Sequence, residues 1–334
     1  MTTLTPLRVA SGDAGSPIDR ARHNLPDIDW LTAAEDFEAI EELKAKFNAV
    51  VLSHNYMTPD IYHGVADHVG DSLALARLAS QTDADVILFA GVHFMAETAK
   101  ITCPDRRVLI PDPTAGCSLA DSITGADVIE LRRRYPGVPI VAYVNTSAEV
   151  KAEVDICCTS GNAVEVVRSL GADRVLFLPD RYLAGWVGSQ LSDVDVIPWD
   201  GACIVHERFT GDQLRGLRTG NGGLQIIAHP ECPPDVLAEA DYVGSTAGMI
   251  DFVRTRMPEQ VVMVTECSMA ANVAMEAPGV NFVRPCNLCP HMKKITLAGI
   301  RHSLETMTHE VVVEPAVAAR ARRSVEAMLA VGAR

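Results

Sequence analysis

Three cysteines at equal intervals constrain this chain more than any other feature of its sequence. Cys117 in Ala-Gly-Cys-Ser-Leu-Ala, Cys203 in Gly-Ala-Cys-Ile-Val-His and Cys289 in Cys-Asn-Leu-Cys-Pro-His-Met follow one another at 86 residues. That interval is too long for one supersecondary repeat and suits a small α/β unit, so it predicts three related units that each deliver one thiolate.

Short β-branched runs alternating with helical patterns support the triplication and predict parallel sheets with crossover helices. First strands are expected at 50–54, 139–143 and 225–229, each followed by a polar pair with one residue between: His54 and Tyr56, Tyr143 and Asn145, His229 and Glu231. Second strands, at 66–72, 154–160 and 240–246, each carry an acid at the start and a hydroxyl residue at the end. Third strands begin at Val86, Arg174 and Gln260, and fourth strands, at 107–111, 193–198 and 279–284, run into the three cysteines. The predicted fold class is therefore α/β, with three similar α/β sandwich units whose parallel sheets surround a central active site with pseudo-threefold symmetry. The expected organisation is an N-terminal extension over 1–35, units over 36–122, 123–208 and 209–295, and a C-terminal helical segment, 296–334, packing back on the first unit. The first helix is expected over 32–47.

Charge and composition remove several functions. A net charge of −14 argues against nucleic acid, which needs concentrated Lys and Arg. The one basic run, Arg132-Arg133-Arg134, is expected to form the solvated end of a helix. No apolar run approaches the roughly 20 residues of a membrane span, and the N-terminus lacks a secretory pattern, which predicts a cytoplasmic protein. An odd count of nine cysteines in such a chain points to metal or catalysis rather than a disulfide framework.

Ligands of open parallel sheets bind beyond the carboxyl ends of the strands, where every repeated position here falls. Three thiolates without a fourth equivalent match a 4Fe-4S cluster on Cys117, Cys203 and Cys289, one iron left open as a Lewis acid. Cys103, Cys157, Cys158, Cys232 and Cys267 do not recur and are expected to pack in the core. Cys286, in Cys-x-x-Cys with Cys289, is out of phase and is treated as accessory, a thiol-disulfide role remaining open. Ser72, Ser160, Ser245 and Thr246 stand where helices begin. Singly they are ordinary caps; together they suggest anion sites for a polyanionic substrate. The polar pairs would handle protons.

These stretches resemble the quinolinate synthase family over about 36–300. The matching segments include His54-Asn-Tyr-Met, Gly70-Asp-Ser, Gly91-Val-His-Phe-Met-Ala-Glu-Thr-Ala-Lys100, Tyr143-Val-Asn-Thr, Cys158-Thr-Ser-Gly-Asn-Ala, Gly201-Ala-Cys-Ile-Val-His-Glu-Arg-Phe, His229-Pro-Glu-Cys, Gly244-Ser-Thr-Ala-Gly-Met and Cys289-Pro-His-Met. The resemblance implies a condensing and dehydrating transferase of de novo NAD biosynthesis. Iminoaspartate and dihydroxyacetone phosphate would give quinolinate, phosphate and two waters, with the L-aspartate oxidase that supplies iminoaspartate as an implied partner. It places the cluster on Cys117, Cys203 and Cys289. His54, Tyr56, Tyr143, His229 and Glu231 would be catalytic, and Ser72, Asn145, Ser160, Ser245 and Thr246 would hold substrate. His206 is a weaker candidate. Another open-cluster hydro-lyase, or an iron-sulfur sensor without catalysis, would share the thiolates.

Overall fold

A computed structural model describes Asp19, Arg22 and residues 25–283, 285 and 287–331. Cys286 and most of the expected N-terminal extension lie outside them. The first helix is longer than expected, Asp27–Phe47. Pro26 stands at its N-cap, with Asp27 and Asp29 in the first turn, where carboxylates meet the positive end of the helix dipole.

Three four-stranded sheets follow. The first contains β1 (Ala49–His54), β2 (His68–Gly70), β3 (Val86–Ala90) and β4 (Arg107–Leu109). The second contains β5 (Ile140–Tyr143), β6 (Ile156–Cys158), β7 (Arg174–Leu178) and β8 (Asp195–Pro198). The third contains β9 (Gln225–Ala228), β10 (Tyr242–Val243), β11 (Gln260–Val264) and β12 (Asn281–Phe282). Their orders are β2-β1-β3-β4, β6-β5-β7-β8 and β10-β9-β11-β12, with every neighbour parallel. The register repeats as well. Ser53 lies opposite Val69 and Ala90, Ala142 opposite Cys157 and Leu178, and Ala228 opposite Val243 and Val264. Central strands such as Val86-Ile-Leu-Phe-Ala are buried along their whole length, which explains their unbroken apolar runs.

One clasp recurs in all three sheets and accounts for the acid at the start of each second strand. Asp67, Asp155 and Asp241 each accept a hydrogen bond from a first-strand backbone N–H, those of Val51, Ile140 and Ile226, at 2.7–2.8 Å. Each carboxylate also pairs with a base from the helix before that strand: Lys44 at 2.7 Å, Arg132 at 2.8 Å and Arg218 at 3.1 Å. The same base donates to a backbone carbonyl just upstream of the acid, at Val65, Glu153 and Glu239. The run Arg132-Arg133-Arg134 does form the exposed end of its helix, and Arg132 is a structural tie as well.

A second repeated bond sets the cysteine loops. The first residue of each helix after a third strand, His93, Arg181 or Cys267, donates its backbone N–H to the carbonyl two positions before the cysteine, at Ala115, Gly201 or Asn287. In the second repeat the chain passes so closely that a Cβ on Gly201 would overlap the Pro179 carbonyl oxygen and Ser122 Oγ.

By internal contacts the chain divides into two compact units, Met1–Ala115 with Pro290–Val312, and Gly116–Cys289 with Val313–Arg334. Cys117 therefore belongs with the second and third repeats. Its loop is stitched to the Cys203 loop: Ser118 Oγ accepts from the Ile204 N–H at 3.2 Å and donates to the Ala202 carbonyl at 3.2 Å, and Trp199 Nε1 donates to the Ser122 carbonyl at 3.0 Å. The C-terminal segment does not pack back on the first unit as one piece. Helix Leu297–Thr306 lies on Asp27–Phe47, tied by Arg301 to Asp36 at 3.0 Å. Helix Pro315–Ala330 instead packs on helix Ala148–Glu153 and β6. Small Ala321 and Ser324 on its buried face permit the close approach, and Ser324 Oγ donates to the Lys151 carbonyl at 2.7 Å. Residues near Val311 add one antiparallel bridge, Leu109 to Glu310, along the edge of β4. Among the described residues no helix is long and apolar enough to cross a membrane.

The clasp gives a direct stability test. Lys44 is nearly covered, so Asp67→Ala takes away one of its two carboxylate partners, leaving Glu41 at 2.5 Å, and removes the acceptor of the Val51 N–H, and should cost about 1–3 kcal/mol. Glu130→Ala, which breaks an exposed pair with Arg133, should cost no more than about 1 kcal/mol. Denaturant unfolding of the two variants distinguishes them; equal losses would show that the clasp contributes no more than a surface pair.

Candidate metal centre and active site

The three cysteines all lie in the second compact unit, each three residues before a 3-10 turn: Ala120–Ser122, His206–Arg208 and Met292–Lys294. After Cys117 and Cys203 the chain points N–H groups back at sulfur. Cys117 receives hydrogen bonds from the Leu119 and Ala120 backbone, and Cys203 from that of Val205 and His206. These do not offset the surroundings. Burial first, then the charges of Glu231 and Cys289, push the Cys117 thiol up to about 12. Burial, Glu231 and Cys117 likewise raise Cys203 well above its ordinary value. Although the three residues keep some exposed surface, the sulfurs of Cys117 and Cys203 sit in dense surroundings. Thiols so placed become thiolates when a cation supplies the missing charge. Cys289 is held by its main chain as well: Glu266, fully buried at the start of helix Cys267–Glu276, accepts from the Ser268 N–H at 2.7 Å and from the Cys289 N–H at 3.3 Å.

A buried polar network adjoins these sulfurs. Glu231 Oε2 lies 2.7 Å from His206 Nδ1 and 3.7 Å from His229 Nδ1, and the two imidazoles stack at 4.8 Å between centroids. His206 Nε2 meets Thr265 Oγ1 at 3.0 Å, and His229 Nε2 meets Ser160 Oγ at 3.1 Å. Burial alone would raise the Glu231 pKa. The two histidines, together with hydrogen bonds from His206 and Tyr143, outweigh it and bring it down to about 2. Asp180 takes the opposite course. Burial, then the Glu231 charge, hold its carboxyl well above the carboxylate range, although its Oδ1 accepts two N–H groups, from Tyr182 and Leu183, at 2.8 Å. The same burial is thus outweighed at Glu231 and reinforced at Asp180, and the two carboxyls shift in opposite directions.

The expected substrate residues occupy distinct local environments. Ser245 caps helix Thr246–Arg256, its Oγ accepting from the Gly248 N–H at 3.2 Å, with Thr246 as the first helical residue. A Cβ added to Gly161 would lie 3.4 Å from Ser245 Oγ, which brings the Ser160 turn and the Ser245 cap together. Ser160 is not a cap, because Asn162 precedes its helix. Asn145 Oδ1 is buried with no hydrogen-bond partner among the described residues. The structure thus gathers Tyr143, Ser160, His206, His229, Glu231 and the thiols of Cys117 and Cys203 within one unit. In the other unit, Tyr56 donates its N–H to His54 Nδ1 at 3.2 Å, the rings meet edge to face, and Ser72 opens a helix capped by Asp71. Asp180, Thr265 and Glu266 escaped sequence reasoning. Asp180 and Glu266 do share one signal: they stand 86 residues apart at equivalent places after third strands.

Comparison with known proteins decides the family. The family model described as Quinolinate synthetase A protein matches residues 38–330. The chain belongs to the quinolinate synthase family. Quinolinate synthase 2 of Mesorhizobium japonicum is 61% identical over 313 residues, 94% of this chain and 96% of that protein. Quinolinate synthase of Agrobacterium fabrum is 60% identical over 316 residues, covering 95% and 91%. The Caulobacter vibrioides quinolinate synthase is 52% identical over 315 residues, covering 93% and 86%. Quinolinate synthases thus align with this chain through all three repeats, not around the cysteines alone.

Acid should expose the Glu231 network. Its folded pKa lies below its ordinary 4.5, so its contribution is complete above about pH 4.5 and drains away as pH falls toward 2. In metal-free chain, the stability gap between wild type and Glu231→Gln should therefore narrow between about pH 5 and pH 3. Denaturant titrations across that range measure it, and a constant gap would show that the glutamate gains nothing from its histidines.

Proposed function

We propose that this quinolinate synthase family member condenses iminoaspartate with dihydroxyacetone phosphate to form quinolinate, releasing phosphate and two waters. A 4Fe-4S cluster held by Cys117, Cys203 and Cys289 would serve it. The carrying observation is the pairing, in one compact unit, of three recurring thiols with an ionised Glu231 bonded to Tyr143. The donor set suits such a cluster. The sulfurs of Cys117 and Cys203 lie in dense surroundings and accept backbone N–H groups, and no close-set group of metal donors among the described residues unites the three thiols, as a single ion would require. When bound, the cluster offers an open iron that polarises a substrate oxygen.

The chain's own residues supply the rest. Glu231 Oε accepts a hydrogen bond from the Tyr143 phenol, so the pair can take a proton through Tyr143 Oη and return it when water leaves. His229, held between Glu231 and Ser160, is placed to donate from its imidazole. Asn145 presents a buried acceptor that finds no partner among the described residues, which suits a substrate donor. Ser160, Ser245 and Thr246 offer hydroxyl and helix N-terminal N–H groups to carboxylate or phosphate. His54, Tyr56 and Ser72 hold the equivalent positions of the first repeat, and we assign them to substrate by that equivalence. An L-aspartate oxidase supplying the unstable imine is the partner this reading implies.

Anaerobic purification, iron and sulfide analysis and a quinolinate assay test the proposal. About four irons and turnover with both substrates are expected. Cys203→Ser should lose the cluster, whereas Tyr143→Phe should keep it and lose about 100-fold or more in kcat. A cluster retained without Cys203, or near-normal turnover without the Tyr143 hydroxyl, would overturn the assignments.

A further inference from the structure

Cys203 belongs to a second donor set besides the cysteine triad. The sulfur of Cys203, a ring nitrogen of His206 and a carboxylate oxygen of Glu231 all lie within 4.8 Å of one another, and His206 and Glu231 are buried. Neither Cys117 nor Cys289 joins any such close-set group among the described residues. One tetrahedral ion bound at about 2.0–2.3 Å needs donors roughly 3.3–3.6 Å apart. A polynuclear cluster needs its thiolates more widely spread. Sulfur, imidazole and carboxylate are also the ligand types of zinc.

We propose that the chain without its cluster binds one borderline divalent cation, zinc or cobalt, on Cys203 Sγ, His206 Nδ1 and a Glu231 oxygen. The ion enters the 2.7 Å contact between His206 Nδ1 and Glu231 Oε2, which opens by roughly 0.6–0.9 Å to admit it. Thr265 Oγ1, 3.0 Å from His206 Nε2, already holds the far side of the ring, as an orienting partner does for a metal-bound histidine. Binding sends the Cys203 thiol proton to solvent, with the imidazolium proton where His206 carries one. The remaining thiolate, carboxylate and neutral imidazole balance a dication in a buried setting. Because Cys203 cannot serve both sites, the ion and the cluster exclude each other. Zinc is therefore an inhibitor of cluster assembly rather than of turnover. Binding of the ion needs only these three residues, whereas its exclusion of the cluster rests on the cluster proposed above.

The test titrates cobalt(II) into full-length, cluster-free protein under anaerobic conditions. One equivalent should give a thiolate-to-cobalt charge-transfer band that zinc abolishes. Cys117→Ser should bind within about twofold of wild type, whereas His206→Gln should bind at least tenfold more weakly. X-ray absorption at the zinc edge of the wild-type chain should show one sulfur with nitrogen and oxygen neighbours, a readout that survives a variant that fails to fold. Zinc-loaded protein should also resist iron-sulfur reconstitution until a chelator is added. Three sulfur neighbours, equal weakening in Cys117→Ser and His206→Gln, or no thiolate band would each overturn the proposal.

Discussion

A carboxylate that fastens the start of one strand to the helix before it underlies every repeat. Asp67, Asp155 and Asp241 each take a first-strand N–H and a base from the preceding helix, and the base reaches a carbonyl beside the second strand. The clasp fixes helix, first strand and second strand by one set of charge-assisted bonds. Parallel strands need such fastening because their partners are joined by long crossovers rather than tight turns. With the entry end of each sheet set, the carboxyl ends and the residues beyond them follow at a constant offset.

At the other end, the chemistry depends on an asymmetry in burial. The thiols of Cys117 and Cys203, Glu231 and Asp180 all lie in dense surroundings, yet only Glu231 has two imidazoles and a phenol beside it. It keeps its charge there, and that charge raises Asp180 and both Cys117 and Cys203. The network is arranged around one anion, which suits the positively charged metal group proposed for it.

Much of this was legible in the sequence because the repeat keeps its residues in phase. The cysteines, the acids of the second strands and the strand-end pairs all recur at 86–89 residues, and the three sheets follow from them. The bases of the clasp did not stand out, since Lys44, Arg132 and Arg218 change identity and sit in charged helices where such residues are common. Glu266 and Asp180 were hidden for a different reason: their counterpart in the first repeat is Val92, so only two of three positions carry the acid. The tail could not be read because its partner is chosen by fit. Small residues on Pro315–Ala330 match helix Ala148–Glu153, and no periodicity reports that.

The bond that sets each cysteine loop is made by main chain alone. His93, Arg181 and Cys267 have nothing in common as side chains, yet their N–H groups hold equivalent carbonyls. Ordinary substitution at these sites leaves the bond in place, so the loops are insulated from drift in the residues that secure them. Proline is the exception, as it alone lacks the N–H. The first position of a helix is where proline is usually most welcome. In this architecture it is the one residue that those three positions exclude, a constraint written into the backbone rather than into any side chain.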